Sequence, residues 1–127
     1  MSQFYENFLI YSGEKYAVFF HAQTMGSSEV NEYYENCDDV TRASLLFLIK
    51  RIAEIGHIYD ETRFRIEDSK NKIYCFKPKK ERFFCFFFSG KKIIITCAYT
   101  KKKNKLDRRE LKKAIQIKAE YFLKGVN

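Results

Sequence analysis

The stretch KIYCFKPKKERFFCFFFSGKKIIITCAYTKKK, residues 72–103, decides the fold of this chain. It predicts three short strands, at residues 72–77, 82–88 and 93–99, because each is a run rich in aromatic and β-branched residues. Pro78 suits the second position of a turn, and Ser89-Gly90 suits a tight hairpin. We therefore expect the three strands to form an antiparallel meander.

The middle strand of this meander is unusual because it carries five phenylalanines and almost no polar alternation. A strand with one face in water alternates apolar and polar residues, whereas a strand buried on both faces does not. This strand is therefore expected to be central, with other elements covering both of its faces.

The part of the chain before the meander predicts one strand and two helices. Residues 16–20 (YAVFF) predict the strand, and residues 1–11 are a candidate for a further strand or hairpin arm. Ser27 or Ser28 is expected to cap a first helix that ends near Asn36, since serine is a favourable N-cap.

The second helix is expected to begin at an Asp38 or Asp39 cap and to end at Gly56. From there to about Ser69 no pattern recurs, which predicts an irregular stretch. The apolar residues of the helix recur at helical spacing: Leu45, Leu48, Ile49, Ile52 and Ile55.

The last helix is expected to begin at Asp107, which has Glu110 three residues later, a capping-box spacing. Its predicted apolar stripe is Leu111, Ala114, Ile115, Ala119 and Phe122. The order is then strand, two helices, three-stranded meander and helix, an α+β fold with helices packed on one sheet. With 127 residues the chain is expected to form one domain.

The charge of the chain is divided between its two parts. Residues 1–69 hold 6 basic and 12 acidic residues, and residues 70–127 hold the other 18 basic and 4 acidic ones. The two parts carry −6 and +14, which together make the net charge of +8. This asymmetry predicts a surface for a polyanion, although a solvated lysine-rich face would have the same composition.

The four cysteines are expected to be buried thiols, because they are widely spaced and no export signal precedes them. Neither His21 nor His57 has an obvious partner, which argues against a metal site or a Cys-His pair. No run approaches the roughly 20 apolar residues that span a bilayer. We therefore expect a cytoplasmic protein without membrane, metal or cofactor.

The chain resembles the phage-related HigB-like branch of the RelE/ParE toxin superfamily. The resemblance rests on residues 73–77 (IYCFK), Arg82 before the aromatic strand, residues 94–102 (IITCAYTKK), and a basic helix with Ala114 and Tyr121. It extends from about residue 16 to residue 122, and residues 1–15 are an N-terminal extension outside it.

This resemblance implies a RelE-like fold and a toxin that enters the ribosome and cuts messenger RNA. In that branch a basic residue ends the first meander strand, an arginine opens the next, and an aromatic residue followed by two lysines closes the last. Lys77, Arg82, Tyr99, Lys101 and Lys102 occupy these places.

Three positions depart from the branch. It often has an acidic residue where Cys75 stands, a histidine near Cys97, and Thr-Pro where Leu106-Asp107 stand. The lost histidine removes one candidate proton carrier.

Cutting RNA without a metal requires a base for the 2′-hydroxyl, stabilisation of the phosphate, and a proton for the leaving oxygen. Arg82 is the best phosphate ligand, unless it forms an ordinary ion pair with Glu81 or another acid. A lysine crowded by other cations loses its proton more readily, which makes Lys77 or Lys79 a candidate base. Tyr99 is expected to donate a proton or stack on a base, or to cap the sheet edge.

The predicted catalytic residues are Lys77, Arg82, Tyr99 and Lys101. The predicted RNA-binding residues are Lys79, Lys80, Lys102, Lys103, Lys105, Arg108 and Arg109.

The leading hypothesis is the toxin of a type II toxin–antitoxin pair, a ribosome-dependent, metal-independent endoribonuclease. Its expected partners are a helix-turn-helix antitoxin, the ribosome and messenger RNA. One alternative is a non-nucleolytic ParE-like toxin that inhibits DNA gyrase. Another is a silent relative that binds RNA or a partner without cutting.

Overall fold

The structure is a computed structural model that describes residues 7–103 and 105–123. Its elements are, in chain order, β1 (Phe8–Ser12), β2 (Ala17–Phe20), α1 (Glu29–Glu35), α2 (Asp39–Ile55), β3 (Phe64–Asp68), β4 (Ile73–Phe76), β5 (Glu81–Phe88), β6 (Lys92–Thr100) and α3 (Arg108–Leu123). The strands form one mixed six-stranded sheet in the order β1-β2-β6-β5-β4-β3. The predicted α+β class is confirmed.

The predicted meander is present, but it has one more strand than expected. β4 pairs antiparallel with β5, and β5 pairs antiparallel with β6. The additional strand, β3, pairs antiparallel with β4, with Phe64 opposite Phe76. The prediction of an irregular stretch up to Ser69 is therefore wrong.

The N-terminal extension also contributes to the sheet. β1 pairs antiparallel with β2, so the candidate strand at residues 1–11 is confirmed from Phe8 onward. Residues 1–6 lie outside the described residues. β2 in turn pairs in parallel with β6, but only along the first part of that strand, from Lys92 to Ile95.

The two faces of the sheet pack against different helices. One core cluster combines α1 and α2 with residues such as Phe83, Cys85 and Ile95, and the other combines α3 with residues such as Phe84 and Phe86. Alternate side chains of β5 therefore enter opposite cores, as expected for a central strand without polar alternation.

The predicted helix caps are found in the structure. Ser28 accepts a hydrogen bond from the Asn31 N–H at 3.1 Å, and Asp38 accepts one from Thr41 at 2.8 Å. Gly56 ends α2 in the left-handed conformation, with φ of 100°. Asp107 accepts hydrogen bonds from the Arg109 and Glu110 N–H groups at 3.0 and 3.1 Å, which satisfies the start of α3.

Some predicted core positions are wrong. Ile55 is 46% exposed because it lies at the end of α2, and Phe122 is 55% exposed near the end of α3. Ala119 is also exposed, and Ile117 is buried instead because it lies one turn beyond Ala114 on the side that meets the sheet.

All four cysteines are free thiols, three of them buried, but Cys37 is only half-buried, at the loop between α1 and α2. No helix in the described part of the chain has the length and apolarity to cross a membrane.

Candidate nucleic-acid interface

A bulge in β6 determines which residues share a face at the end of the meander. Phe84 pairs with Cys97 and Cys85 pairs with Ile95, so Thr96 is an extra residue in β6. The Thr96 hydroxyl donates to the Phe84 carbonyl oxygen at 3.2 Å and is fully buried. Ile95 consequently faces α2, whereas Tyr99 packs against the core beneath α3.

Three predicted catalytic residues meet on this α3 side of the sheet. Arg82 lies directly opposite Tyr99 in the β5–β6 pair. Lys77 follows Phe76, whose partner Phe83 follows Arg82, so Lys77 and Arg82 end adjacent strands. The structure therefore brings Lys77, Arg82 and Tyr99 to one edge of the sheet.

Glu67 of β3 belongs to the same group, although the sequence did not point to it. Its Oε2 lies 3.1 Å from Lys77 Nζ, and these two side chains are only 13% and 14% exposed. Arg65 Nε lies 3.4 Å from the same oxygen. We call Glu67, Lys77, Arg82 and Tyr99 the rim cluster.

The ion pair changes the expected role of Lys77. The base hypothesis required Lys77 to be crowded by cations, but its ammonium contacts a carboxylate. The sequence signal for Glu67 is weak, because the segment FRIED is a strand of five residues at the edge of the sheet. The only sign in the sequence is the alternation of apolar Phe64 and Ile66 with charged Arg65 and Glu67.

Arg82 does not form an ion pair with Glu81, because successive residues of a strand point to opposite faces of the sheet. Its Nη1 instead donates to the carbonyl oxygens of Lys79 and Glu81, both at 2.9 Å. Lys79 has a φ of 53°, a left-handed conformation that is unfavourable for lysine. Arg82 thus holds the β4–β5 turn through one nitrogen.

Tyr99 is half-buried and packs on Phe84, with ring centroids 5.6 Å apart. Burial raises the pKa of its phenol, and a hydrogen bond from the Asp107 N–H opposes this rise. Glu67 and Arg82 also act on this pKa, which places them in electrostatic reach of the phenol. Tyr99 therefore keeps its proton at neutral pH.

The buried thiols are unreactive. Burial raises the pKa of Cys75 to about 12, and nearby Glu67 adds to the rise. Burial likewise raises the pKa of Cys97 to about 12, and its Sγ donates to the Glu110 carbonyl oxygen at 3.4 Å. Since the thiolate is the nucleophilic form, these cysteines serve as core residues.

The predicted RNA-binding residues lie in the β4–β5 turn, in the loop after β6 and in the first turn of α3, and all are exposed: Lys79, Lys80, Lys102, Lys103, Lys105, Arg108 and Arg109. None of them takes part in an ion pair among residues 7–103 and 105–123. Lys101 is half-buried, and its N–H donates to the Lys80 carbonyl oxygen at 2.8 Å.

Arg108 and Arg109 occupy the first turn of α3, where the helix dipole disfavours cations. Their positive charges therefore do not stabilise the start of this helix.

A cleft of about 460 Å³ opens beside the end of β6. The β2 ladder stops at Ile95, so the last residues of β6 border this cleft on the side away from β5. Its lining comes from α1, the end of β6 and the loop before α3: Tyr33, Ala98, Tyr99, Thr100, Lys102, Lys105, Leu106 and Asp107.

The expectation that both histidines lack partners is wrong for His21. Its Nδ1 lies 3.0 Å from the Tyr121 hydroxyl, which also receives a hydrogen bond from Asn7 Nδ2 at 2.5 Å. The two rings have centroids 5.5 Å apart. His57 packs against Tyr59 after the end of α2, with ring centroids 4.1 Å apart and the rings inclined by 42°.

The model of the phage-derived Gp49-like protein family (DUF891) matches residues 32–119, more than half of the chain. The chain belongs to the Gp49-like family. This family is related to the RelE- and HigB-like toxins. A search of curated proteins found no match.

The Gp49-like match begins within α1 and ends within α3, so it includes all four residues of the rim cluster and the cleft-lining residues. β1 and β2 lie before it. The predicted relationship to RelE-like toxins is thus confirmed at the level of the family.

Proposed function

We propose that this Gp49-like protein is the toxin of a type II toxin–antitoxin pair, a ribosome-dependent endoribonuclease of HigB type. The observation that carries the proposal is the rim cluster. A carboxylate, a lysine, an arginine and a protonated phenol share one edge of the sheet, and exposed cations lie in the adjoining turn, loop and first turn of α3.

The cations beside the rim cluster are the proposed ligands for phosphate. Arg82 uses one nitrogen to hold the turn, and the rest of its planar guanidinium offers donors to the oxygens of a phosphate. Lys101 and the exposed lysines hold the neighbouring phosphates of the message. Such contacts position RNA without reading its sequence.

Glu67 is the proposed proton acceptor and Tyr99 the proposed proton donor. The 2′-oxygen attacks the adjacent phosphorus, its proton passes to the Glu67 carboxylate, and the 5′-oxygen leaves with the proton of Tyr99. The products are a 2′,3′-cyclic phosphate and a 5′-hydroxyl end. Lys77 positions Glu67 through the 3.1 Å ion pair. Glu67 would thus carry the proton in place of the histidine that the HigB-like branch has near Cys97.

The proposed partners follow from this function. The ribosome presents messenger RNA to the basic edge, and a small helix-turn-helix antitoxin blocks the toxin until it is needed. The strongly basic second part of the chain supports a polyanionic target, because such a surface steers association with RNA.

Induction of the protein in cells tests the proposal. We expect growth arrest, loss of translation and truncated transcripts, and we expect Arg82→Ala to relieve all three. Arg51→Ala, which removes an exposed charge from α2, is the matched control and should arrest growth like the wild type. Intact transcripts in arrested cells would contradict the proposal.

One observation favours a second candidate, a non-nucleolytic toxin that inhibits DNA gyrase. Cys97 stands near the position at which the HigB-like branch has a histidine. His21 contacts Tyr121, which lies at the opposite end of α3 from Asp107 and Tyr99, so His21 does not replace that histidine beside the rim cluster. A supercoiling assay with purified gyrase separates the two candidates, because an RNA-cutting toxin leaves supercoiling unchanged.

A further inference from the structure

Three polar side chains meet where α1 approaches the end of β6, and we call them the hydroxyl cluster: Tyr33, Glu81 and Thr100. The Tyr33 phenol donates to Glu81 Oε1, and the Thr100 hydroxyl donates to the same oxygen at 2.9 Å. The two hydroxyl oxygens lie 2.7 Å apart. The rim cluster does not use these three residues.

The hydroxyl hydrogens of Tyr33 and Thr100 are directed to oxygen atoms within the hydroxyl cluster. An ionised carboxylate accepts hydrogen bonds and donates none. Tyr33 and Thr100 therefore donate their two hydroxyl hydrogen bonds to Glu81 or to each other. What they present outside the cluster is oxygen lone pairs, which accept hydrogen bonds.

Two members of the hydroxyl cluster also line the cleft beside β6. Tyr33 and Thr100 form part of its wall, and Lys102 and Lys105 line the same cleft. The volume of about 460 Å³ lies within the range of small-molecule sites and suits one nucleotide. The lysines would take its phosphate, and the two hydroxyl oxygens would face its base.

We propose that this cleft is a nucleobase subsite that selects bases with an exocyclic amino group, and that Glu81 is the positioning residue that sets this preference. The amino groups of adenine, cytosine and guanine donate hydrogen bonds, which the oxygens of Tyr33 and Thr100 accept. Glu81 acts without touching the base, because it fixes the direction of both hydroxyl hydrogens. The inference rests on the proposed function insofar as it takes the ligand to be RNA.

The experiment compares two RNA hexamers that differ only in the amino group: one of adenosine and one of purine riboside, which lacks the 6-amino group. Both carry 2′-O-methyl groups, so that attack by the 2′-oxygen is blocked and binding alone is measured. Fluorescence anisotropy gives the affinities. Since one hydrogen bond contributes about 0.5–1.5 kcal/mol, we expect the adenosine hexamer to bind about two- to tenfold tighter.

Variants of the hydroxyl cluster test the cause of this preference. Tyr33→Phe removes one acceptor and keeps the ring, and Glu81→Gln replaces the carboxylate with a group that also donates. Both should reduce the ratio of the two affinities toward one. Glu61→Gln changes an exposed acid between α2 and β3 in the same way and should leave the ratio unchanged.

The outcomes are distinct from those of the proposed function, because no ribosome or cleavage is involved. Equal affinity of the wild type for both hexamers, or no binding of either, would overturn the inference. A preference that persists in Tyr33→Phe and Glu81→Gln would also overturn it. A clear preference in a protein that leaves messages intact would uphold the subsite and reject the nuclease.

Discussion

Arg82 and Tyr99 lie directly opposite each other on β5 and β6, and both face the side of the sheet that α3 covers. This relationship depends on the bulge at Thr96. In a regular ladder, Tyr99 would lie on the same face as Ile93 and Ile95, beneath α2. The bulge thus brings the phenol to the face of the sheet that Arg82 occupies.

Arg82 should be more sensitive to conservative substitution than an ordinary surface cation. Arg82→Lys keeps the charge but loses the planar set of donors that holds the Lys79 carbonyl and that we propose binds phosphate. We expect the cleavage rate on ribosomes to fall about 100-fold or more in Arg82→Lys and Arg82→Ala alike. Single-turnover measurements check this, and a lysine variant with wild-type rate would contradict it.

The Glu67–Lys77 ion pair should contribute to stability as well as to chemistry. Glu67→Gln leaves a largely buried ammonium without its partner, which should cost about 2–3 kcal/mol in the free energy of unfolding. The double variant Glu67→Leu/Lys77→Met should lose less. Glu29→Gln breaks an exposed ion pair with Lys113 and should cost less than about 1 kcal/mol.

Urea denaturation measures these free energies, and ribosome assays measure the chemistry. If Glu67 accepts the proton, Glu67→Gln should also slow cleavage by about 100-fold or more. A stable Glu67→Gln variant with wild-type cleavage would remove Glu67 from the mechanism.

The protein should lose stability in alkali through its buried thiols. Burial raises the pKa of Cys75 and Cys97 from 9.0 to about 12 in the folded state. Between these values the unfolded chain releases protons that the folded chain retains, so stability falls as the pH rises. Each thiol should contribute up to about 1.4 kcal/mol per pH unit within this window.

Urea denaturation at pH 8, 9.5 and 10.5 checks this expectation. The variants Cys75→Ala and Cys97→Ala should each flatten the decline, although each also creates a small cavity. An equally steep decline in the double variant would assign the effect to other groups, such as Tyr121, whose pKa burial raises to about 12.

Lys79 and Lys91 can be compared to distinguish the effect of a lysine's charge on RNA binding from the effect of its left-handed backbone on stability. Lys79 and Lys91 have φ of 53° and 58°, and glycine adopts this conformation without steric cost. Lys79→Gly and Lys91→Gly should each stabilise the protein by up to about 1 kcal/mol. Only Lys79→Gly should weaken RNA binding, since Lys91 lies in the hairpin between β5 and β6, at the other end of those strands from Arg82.

Anisotropy at several salt concentrations measures this difference. Lys79→Gly should reduce the slope of log affinity against log salt by roughly 0.7 to 1, the contribution of one phosphate contact. An equal change in Lys91→Gly would show that the basic surface is diffuse.

Much of the fold was predictable because its signals are local. The turn between β4 and β5, the Ser89-Gly90 hairpin and the Ser28, Asp38 and Asp107 caps each depend on a few neighbouring residues. The predicted place of Pro78 is wrong in one respect: it is the first residue of its turn and not the second, because its carbonyl oxygen accepts a hydrogen bond from the Glu81 N–H at 3.0 Å. β3 was missed because FRIED lies at the sheet edge, where only Phe64 and its pairing with β4 mark it as a strand.

The candidate site was predictable only in part for a related reason. Lys77, Arg82 and Tyr99 were chosen by resemblance to a toxin family, and the structure brings them together. Glu67 and the hydroxyl cluster depend on contacts between residues distant in sequence, such as Tyr33 with Glu81. The Thr96 bulge, which sets the face of Tyr99, has no sequence signature that the strand pattern reveals.

The most direct measurement maps the ends of messenger RNA after purified protein is added to translating ribosomes. The account predicts cuts in the message that leave a 2′,3′-cyclic phosphate and a 5′-hydroxyl. It also predicts no cut at a scissile nucleotide that lacks its 2′-hydroxyl, and none with Arg82→Ala. Full-length message with the wild-type protein, or cleavage that persists without the 2′-hydroxyl, would contradict it.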